Sequence, residues 1–472
     1  MKTTNKYYYS LLACLLLSIP LKAQVPAALD NLLRHTLDSM RMVTRAKSLS
    51  AAIQFADGQT WSYAKGISSV APPADVTPAD AYLIGSVTKT ITSACILQLA
   101  GEGALNLDDS LHRWLDTIPY VNPNITIRQL LQHTSGLFDV LAHPHHQDSM
   151  LADITRVWTA QELVARFMLP PPAQPGATWA YCNTNYFLLG MIIEKITGNP
   201  FYTELRNRFF GPMGFNSFAI PAFEPLNAPV AHLWLDITGD NITDDAHNFY
   251  MSYKALNSSA GAAGGYFATA ADCSRWMRSY MRGDLVSPAL MAQARTTVNA
   301  PGSQGGLYGL GLMKNLSDFL GLEAYGHGGD LAYHASSWYF PAKDASISVL
   351  TNDNNVNSWA LIPVVRELLR SYSNFDPTTI NAPTAADLRI RVYPNPFDQY
   401  LRISLQPGNT ATRFEATLCD LPGRTIARKA IDQRSANRLS ATLETPGILP
   451  PGLYWLTIRA DGRTVQTFKL LR

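Results

Sequence analysis

Apolar residues recur at helical spacing over 29–42 (Leu29, Leu32, Leu33, Leu37, Met40) and predict an amphipathic helix. Segments 49–55 and 60–64 flank Asp57-Gly58, a dipeptide suited to a tight turn, and predict a β-hairpin. From Ser86 to about residue 300 the pattern is mainly helical and loop-like, rich in Gly, Pro and Asn. Apolar helices are predicted after Ser86 (Ile91, Ala94, Ile96, Leu97, Leu99) and over 186–196. Strand character returns at 336–340 and 346–351, before a helix near 357–372. Strands near both ends of a helical middle predict one α+β domain, a sheet closed by distant segments plus a helical insertion.

Residues 373–388 are polar and contain proline, and read as a linker. Beyond them lie short alternating segments at 388–392, 401–405, 414–418, 439–443 and 453–458. Turn signals such as Pro394-Asn395-Pro396, Pro422-Gly423 and Asp461-Gly462 separate them, so 389–472 is predicted to be a small β-sandwich. At the other end, Lys2 and Lys6 precede an apolar run over 10–20 and a plausible cut before Gln24. Residues 1–23 therefore read as a secretory signal, too short in its apolar run to serve as a transmembrane anchor. A lipoprotein cut at Cys14 would fall inside that run, which disfavours it. The main folded unit is then expected over 24–372.

Composition changes this picture little. At 472 residues, 47% hydrophobic and 16% charged, the chain is globular, neither disordered nor fibrous. The net charge of +2 conceals a basic tail, with 13 Lys+Arg against 6 Asp+Glu in 389–472. Those charges are scattered among strands, a solvated face and no footprint for nucleic acid. Of the five cysteines, Cys14 lies in the leader; Cys95, Cys182, Cys273 and Cys419 have no metal or disulfide spacing and are expected as free, mostly buried thiols. His143, His145 and His146 lack a carboxylate or cysteine at ligand spacing, so no metal and no cofactor are expected.

The chemistry gathers in three stretches. Gly85-Ser86-Val87-Thr88-Lys89 opens a helix, where residues three apart share a face and Ser86 Oγ can meet Lys89 Nζ. A serine hydroxyl needs a base, and a buried lysine with a lowered pKa can be one. The helix N-terminus favours a developing oxyanion. The plainer reading is an ordinary helix start with polar caps. Tyr181-Cys182-Asn183 precedes the second apolar helix; a nearby ammonium is expected to lower the Tyr181 pKa, and Asn183 can donate to a substrate carbonyl. Here the plainer reading is a tyrosine packed on a loop. Tyr325-Gly326-His327-Gly328-Gly329-Asp330 precedes the returning strands, where glycine lets substrate approach and a backbone N–H can form half of an oxyanion hole. The plainer reading is a turn with a surface histidine.

Taken together the three stretches resemble the serine beta-lactamase-related family, which includes class C beta-lactamases, D-alanyl-D-alanine carboxypeptidases, D-aminopeptidases and esterases. Ser86-Val87-Thr88-Lys89 resembles its nucleophile motif, Tyr181-Cys182-Asn183 its second motif and His327-Gly328-Gly329 its third. The stretch 125–137, Gly264-Gly265 and Tyr308-Gly309-Leu310-Gly311 share the family's look, and the likeness spans roughly 30–370. The resemblance implies an antiparallel sheet flanked by helices with a helical subdomain. It implies an acyl-enzyme on Ser86, with Lys89 and Tyr181 as proton-transfer partners; which of them is the base stays open. Asn183, His327, Gly329 and Asp330 would bind substrate, the last through an oxyanion hole shared with the Ser86 N–H. The substrate would be a peptide, amide or ester, with beta-lactamase proper or a non-catalytic surface-binding protein as alternatives.

Two departures stand out. His327 replaces the lysine of penicillin-recognising members, and an ordinary histidine would become cationic only as pH falls toward about 6. Tyr333 stands where the family often has glycine and is expected to narrow the pocket. His133 is expected to be structural. The tail, with Val392-Tyr393-Pro394-Asn395-Pro396, Asp420-Leu421-Pro422-Gly423-Arg424 and Gly452-Leu453-Tyr454, resembles the C-terminal sorting domain of type IX secretion cargo. That implies partnership with the type IX machinery, export through the periplasm and a secreted or cell-surface location. An accessory carbohydrate-binding sandwich is the plainer reading of the tail.

Overall fold

The hairpin marked by Asp57-Gly58 is one end of a nine-stranded sheet in the computed structural model, which describes residues 25–240, 242–252, 254–375, 390–406, 413–420, 423–435, 438–460 and 463–472. The signal segment 1–23 and nearly all of the 373–388 linker lie outside the described residues. The chain divides into two units, Met1–Phe375 and Asp376–Arg472.

In the first unit the strands are β1 (Ser48–Gln54), β2 (Thr60–Val70), β3 (Pro73–Asp75), β4 (Val298–Asn299), β5 (Leu307–Tyr308), β6 (Met313–Asn315), β7 (Ala324–Leu331), β8 (Tyr333–Phe340) and β9 (Ala345–Thr351). Their order is β3-β2-β1-β9-β8-β7-β6-β5-β4, antiparallel throughout. The β1–β9 pair, Ser50 opposite Leu350, joins segments some three hundred residues apart and closes the sheet as expected.

Helices α1 (Ala27–Thr44) and α6 (Ser358–Asn374) cover one face of the sheet. Leu33 and Leu37 meet Val365 and Leu368 there, over Leu49, Ala51 and Ile53 of β1. The other face carries α5 (Ala270–Arg282), whose Trp276, Met277 and Tyr280 join the larger core with Ala52 and Leu350. With both faces covered, β1 is buried at every position, its polar Ser48, Ser50 and Gln54 included. The helical insertion centres on α2 (Thr88–Gly101), α3 (Thr184–Thr197) and α4 (Lys254–Gly264), which pack on one another. Because α2 is buried nearly all round, its apolar residues form no single stripe. Tyr333 is directed into this core, donating to the Ala231 carbonyl at 2.7 Å, and does not line the cleft that holds Ser86.

The second unit has β10 (Arg391–Tyr393), β11 (Tyr400–Leu405), β12 (Phe414–Asp420), β13 (Thr425–Ala430), β14 (Gln433–Ser435), β15 (Arg438–Glu444), β16 (Leu453–Ala460) and β17 (Arg463–Leu471). They form two four-stranded sheets, β10-β11-β15-β14 and β13-β12-β16-β17, around one core containing Leu401, Ile403, Leu418, Leu456 and Ile458. The three strands not anticipated, β13, β14 and β17, are all edges. Edge strands bury little and carry charge, such as Arg428 and Lys429 on β13, so alternation is weak there.

Among the described residues no helix is long and apolar enough to cross a membrane. Cys95, Cys182 and Cys273 are free and buried, and Cys419 is free and partly buried. The His143 and His146 rings pack on Phe167, 5.3 Å and 5.4 Å between centroids.

Candidate active site

Ser86 sits in a single 3-10 turn, Gly85–Val87, which leads directly into α2. The turn presses against β7, and two glycines allow it. Gly85 has φ 51°, and a Cβ there would come within 2.9 Å of the Asp330 backbone nitrogen. A Cβ on Gly329 would collide with the Ile84 carbonyl. Strand β6 pairs only with the 324–326 part of β7, so the edge of 327–331 is left to face the serine turn.

Lys89 is fully buried one turn along α2. Its Nζ lies 3.1 Å from Ser86 Oγ, 2.8 Å from Asn183 Oδ1 and 2.8 Å from the Ala263 carbonyl oxygen. Burial pushes its pKa down to about 7, against a smaller upward pull from Asp139 and Cys182. A neutral amine has two N–H donors and one lone pair. Asn183 Oδ1 and the Ala263 carbonyl can only accept, so they take the two protons and the lone pair faces the serine hydroxyl. The Asn183 amide orientation is itself determined, because Nδ2 donates to Asp139 Oδ2 at 2.8 Å. Asp139 also receives the Asn183 backbone N–H at 3.0 Å. One Asn183 N–H is left over for a substrate carbonyl.

Tyr181 places its ring 4.8 Å from Lys89 Nζ, but its hydroxyl is buried and has no well-formed hydrogen bond among the described residues. Burial drives its pKa strongly upward; the Ser86 hydroxyl eases this only in part, and Asp139 and Asp330 add to the rise. The shift runs opposite to the expectation, because a phenolate would have to be desolvated next to carboxylates. Tyr181 is therefore a neutral phenol, a proton donor and not a ready base.

His327 lies on β7 and is fully buried. Its Nδ1 faces the Gly328 carbonyl at 2.5 Å and its Nε2 faces the Tyr308 hydroxyl at 2.9 Å. A carbonyl cannot donate, so Nδ1 carries the proton and Nε2 accepts from Tyr308. Burial and then Lys89 push its pKa down to about 3. The expected gain of charge near pH 6 is thus overturned, and both ring nitrogens are already engaged. His133 is likewise buried and kept neutral by burial; its Nδ1 accepts the Cys182 N–H at 3.2 Å, a structural role.

Ser86, Tyr181, Asn183, His327 and Asp330 line one cleft of about 480 Å³, with Lys89 beneath its floor. The Asp330 carboxylate turns away from Ser86 toward α6, accepting from Ser358 N at 2.8 Å and Ser358 Oγ at 2.6 Å and facing His334 Nδ1 at 2.6 Å. Sequence reasoning missed Asp139, Gln304, Ser358 and the aromatic pair Trp179 and Trp359 at the cleft. Of these only Asp139 had a local signal, its place just after His-Thr-Ser-Gly.

The fold has relatives among known proteins. The Beta-lactamase family pattern matches residues 31–363, and that of the secretion system C-terminal sorting domain matches 391–471. Penicillin-binding protein 4 of Amycolatopsis lactamdurans is 28% identical over 387 residues, spanning 76% of this chain and 95% of that protein. The D-stereospecific amidohydrolase structure from Streptomyces sp. aligns with TM-score 0.62 at 28% identity, over 71% of this chain and 98% of that one. The D-amino acid amidase of Ochrobactrum anthropi SV3, complexed with L-phenylalanine amide, aligns with TM-score 0.64 at 25% identity, over 74% and 99%. The chain carries a C-terminal secretion sorting domain, and through residues 31–363 it belongs to the Beta-lactamase family of serine hydrolase folds.

Proposed function

We propose that this protein is an exported serine hydrolase that cleaves amide, peptide or ester bonds through an acyl-enzyme on Ser86. The observation that carries the reading is the Lys89 lone pair directed at Ser86 Oγ from 3.1 Å. Ser86 Oγ attacks the substrate carbonyl carbon as its proton passes to Lys89 Nζ. The backbone N–H groups of Ser86 and Asp330 hold the oxyanion, and the spare Asn183 N–H orients the acyl group. Collapse expels the amine or alcohol, which takes its proton from the Lys89 ammonium with the neutral Tyr181 hydroxyl beside it. Water then attacks the ester and releases the acid. His327 acts through Tyr308 and the β7 backbone as a positioning residue.

Beta-lactamase proper has less support, because among the described residues the cleft lining holds no Lys or Arg to meet a penicillin carboxylate. A pure binding role has less still: burying a lysine costs several kcal/mol that binding alone would not return. The sorting domain supports export, and the type IX route through the periplasm to the surface or medium is part of the proposal, as is a functional boundary near 373–388. The test is intact-mass detection of adducts with a fluorophosphonate, a penicillin and small esters. A fluorophosphonate adduct on Ser86 supports the reading; none with any of the three overturns it.

A further inference from the structure

Beside the serine, the cleft holds a second group of polar side chains that acyl transfer leaves idle. Ser358 Oγ lies 2.6 Å from Asp330 Oδ2 and 2.9 Å from Gln304 Nε2. The carboxylate only accepts, so the hydroxyl gives it its single proton and must itself accept from the Gln304 amide. That leaves Gln304 Oε1 as the free end. Gln304 is 2% exposed, lines the cleft, and its Oε1 is buried with no partner among the described residues. The Gln304 amide packs against Gly328, where a Cβ would come within 2.7 Å of Oε1 and 2.9 Å of Ser358 Oγ, so glycine is what lets it sit there.

Asp330 supplies a second open acceptor. Its Oδ1 takes the Ser358 N–H and faces His334, while Oδ2 takes the Ser358 hydroxyl alone. A carboxylate offers about four lone-pair sites, so one on Oδ2 is unfilled. The Asp330 side chain is 46% exposed. Among the described residues lining the cleft, Asp330 is the sole acid and none is Lys or Arg. Two acceptors, one of them anionic, call for a cationic N–H donor.

We infer that Gln304 Oε1 and the Asp330 carboxylate form a subsite for the ammonium group of the substrate. The subsite rests on the serine-hydrolase reading and narrows it: aminoacyl amides and esters with a free α-amino group are preferred over N-acylated or carboxylate-terminated ones. Gln304 and Asp330 line the same cleft as Ser86, so one bound substrate can meet all three.

The test compares alanine p-nitroanilide, of either configuration, with its N-acetyl counterpart. The intact protein should show a kcat/KM ratio of about ten-fold or more for the free amine, the scale of a charge-assisted hydrogen bond. Asp330→Asn and Gln304→Leu should each bring the ratio toward one. A wild-type ratio of one or less overturns the subsite whether or not the variants fold, as does an Asp330→Asn protein with an unchanged ratio. If neither anilide is hydrolysed, fluorophosphonate labelling of Ser86 decides the hydrolase reading separately. Calorimetric binding of alaninamide and N-acetylalaninamide to the intact chain then decides the subsite: preference for the ammonium sustains it, and equal affinity overturns it.

Discussion

The two units of this chain bury very different things. In the first, Lys89, His133, His327, Asp272 and Arg278 are all less than a tenth exposed. In the second, the buried set among the described residues is apolar apart from Thr417. An unpaired buried charge costs several kcal/mol, and a neutral buried amine still forgoes its hydration. The second unit avoids that cost with an alternating pattern such as that of β16, which is enough to fold a sandwich. The first accepts it where Lys89 faces Ser86. A buried polar network is thus the physical mark that separates the unit built for chemistry from the unit built to be recognised.

Ser86→Ala should have the largest effect, abolishing fluorophosphonate labelling without altering circular dichroism. Labelling that persists would move the nucleophile elsewhere and break the contrast at its root. Next in size, Lys89→Ala should slow acylation on the order of a hundred-fold or more, the scale of a lost general base.

The pH profile sharpens the same point. With its pKa lowered to about 7, Lys89 is protonated below that pH and its lone pair is lost. Acylation should therefore rise about tenfold per pH unit toward 7 and level off above it. His327, lowered to about 3, should add no second step between pH 5 and 8. A flat profile for small esters over pH 5.5–8 would count against Lys89 as the base.

The smallest effect on activity is expected from the second unit. Leu456→Ala, at a fully buried core position, should cost that sandwich about 2–5 kcal/mol yet leave kcat unchanged. A chain ending at Asn374 should keep its esterase activity in solution. Loss of activity in that shortened, folded protein would show that the two units share more than a linker.

The helices at Ala27–Thr44, Thr184–Thr197 and Ser358–Asn374 were legible within a few residues, because each has a long apolar pattern bounded by polar or turn residues. So was the hairpin at Asp57-Gly58. The edge strands β13, β14 and β17 were not, since exposed strands lose the alternation that betrays them. The Ser86 and Lys89 contact followed from helical spacing alone. The Tyr181 and His327 ionisation states did not: their pKa values depend on how completely other segments shut out water.

By itself the sequence determined the local elements, the three motif stretches and the contrast between a larger α+β unit and a strand-rich tail. Those follow from periodicity and residue type, which act over a few positions. Only the tertiary structure decided which way Lys89 presents its lone pair, because Asn183 and Ala263, 94 and 174 residues away, take its two protons. It likewise decided that Gln304, Ser358 and Asp330 meet at one cleft, with an acceptor left open between them. Hydrogen-bond direction depends on every neighbour at once, and those neighbours come from segments that no local pattern connects.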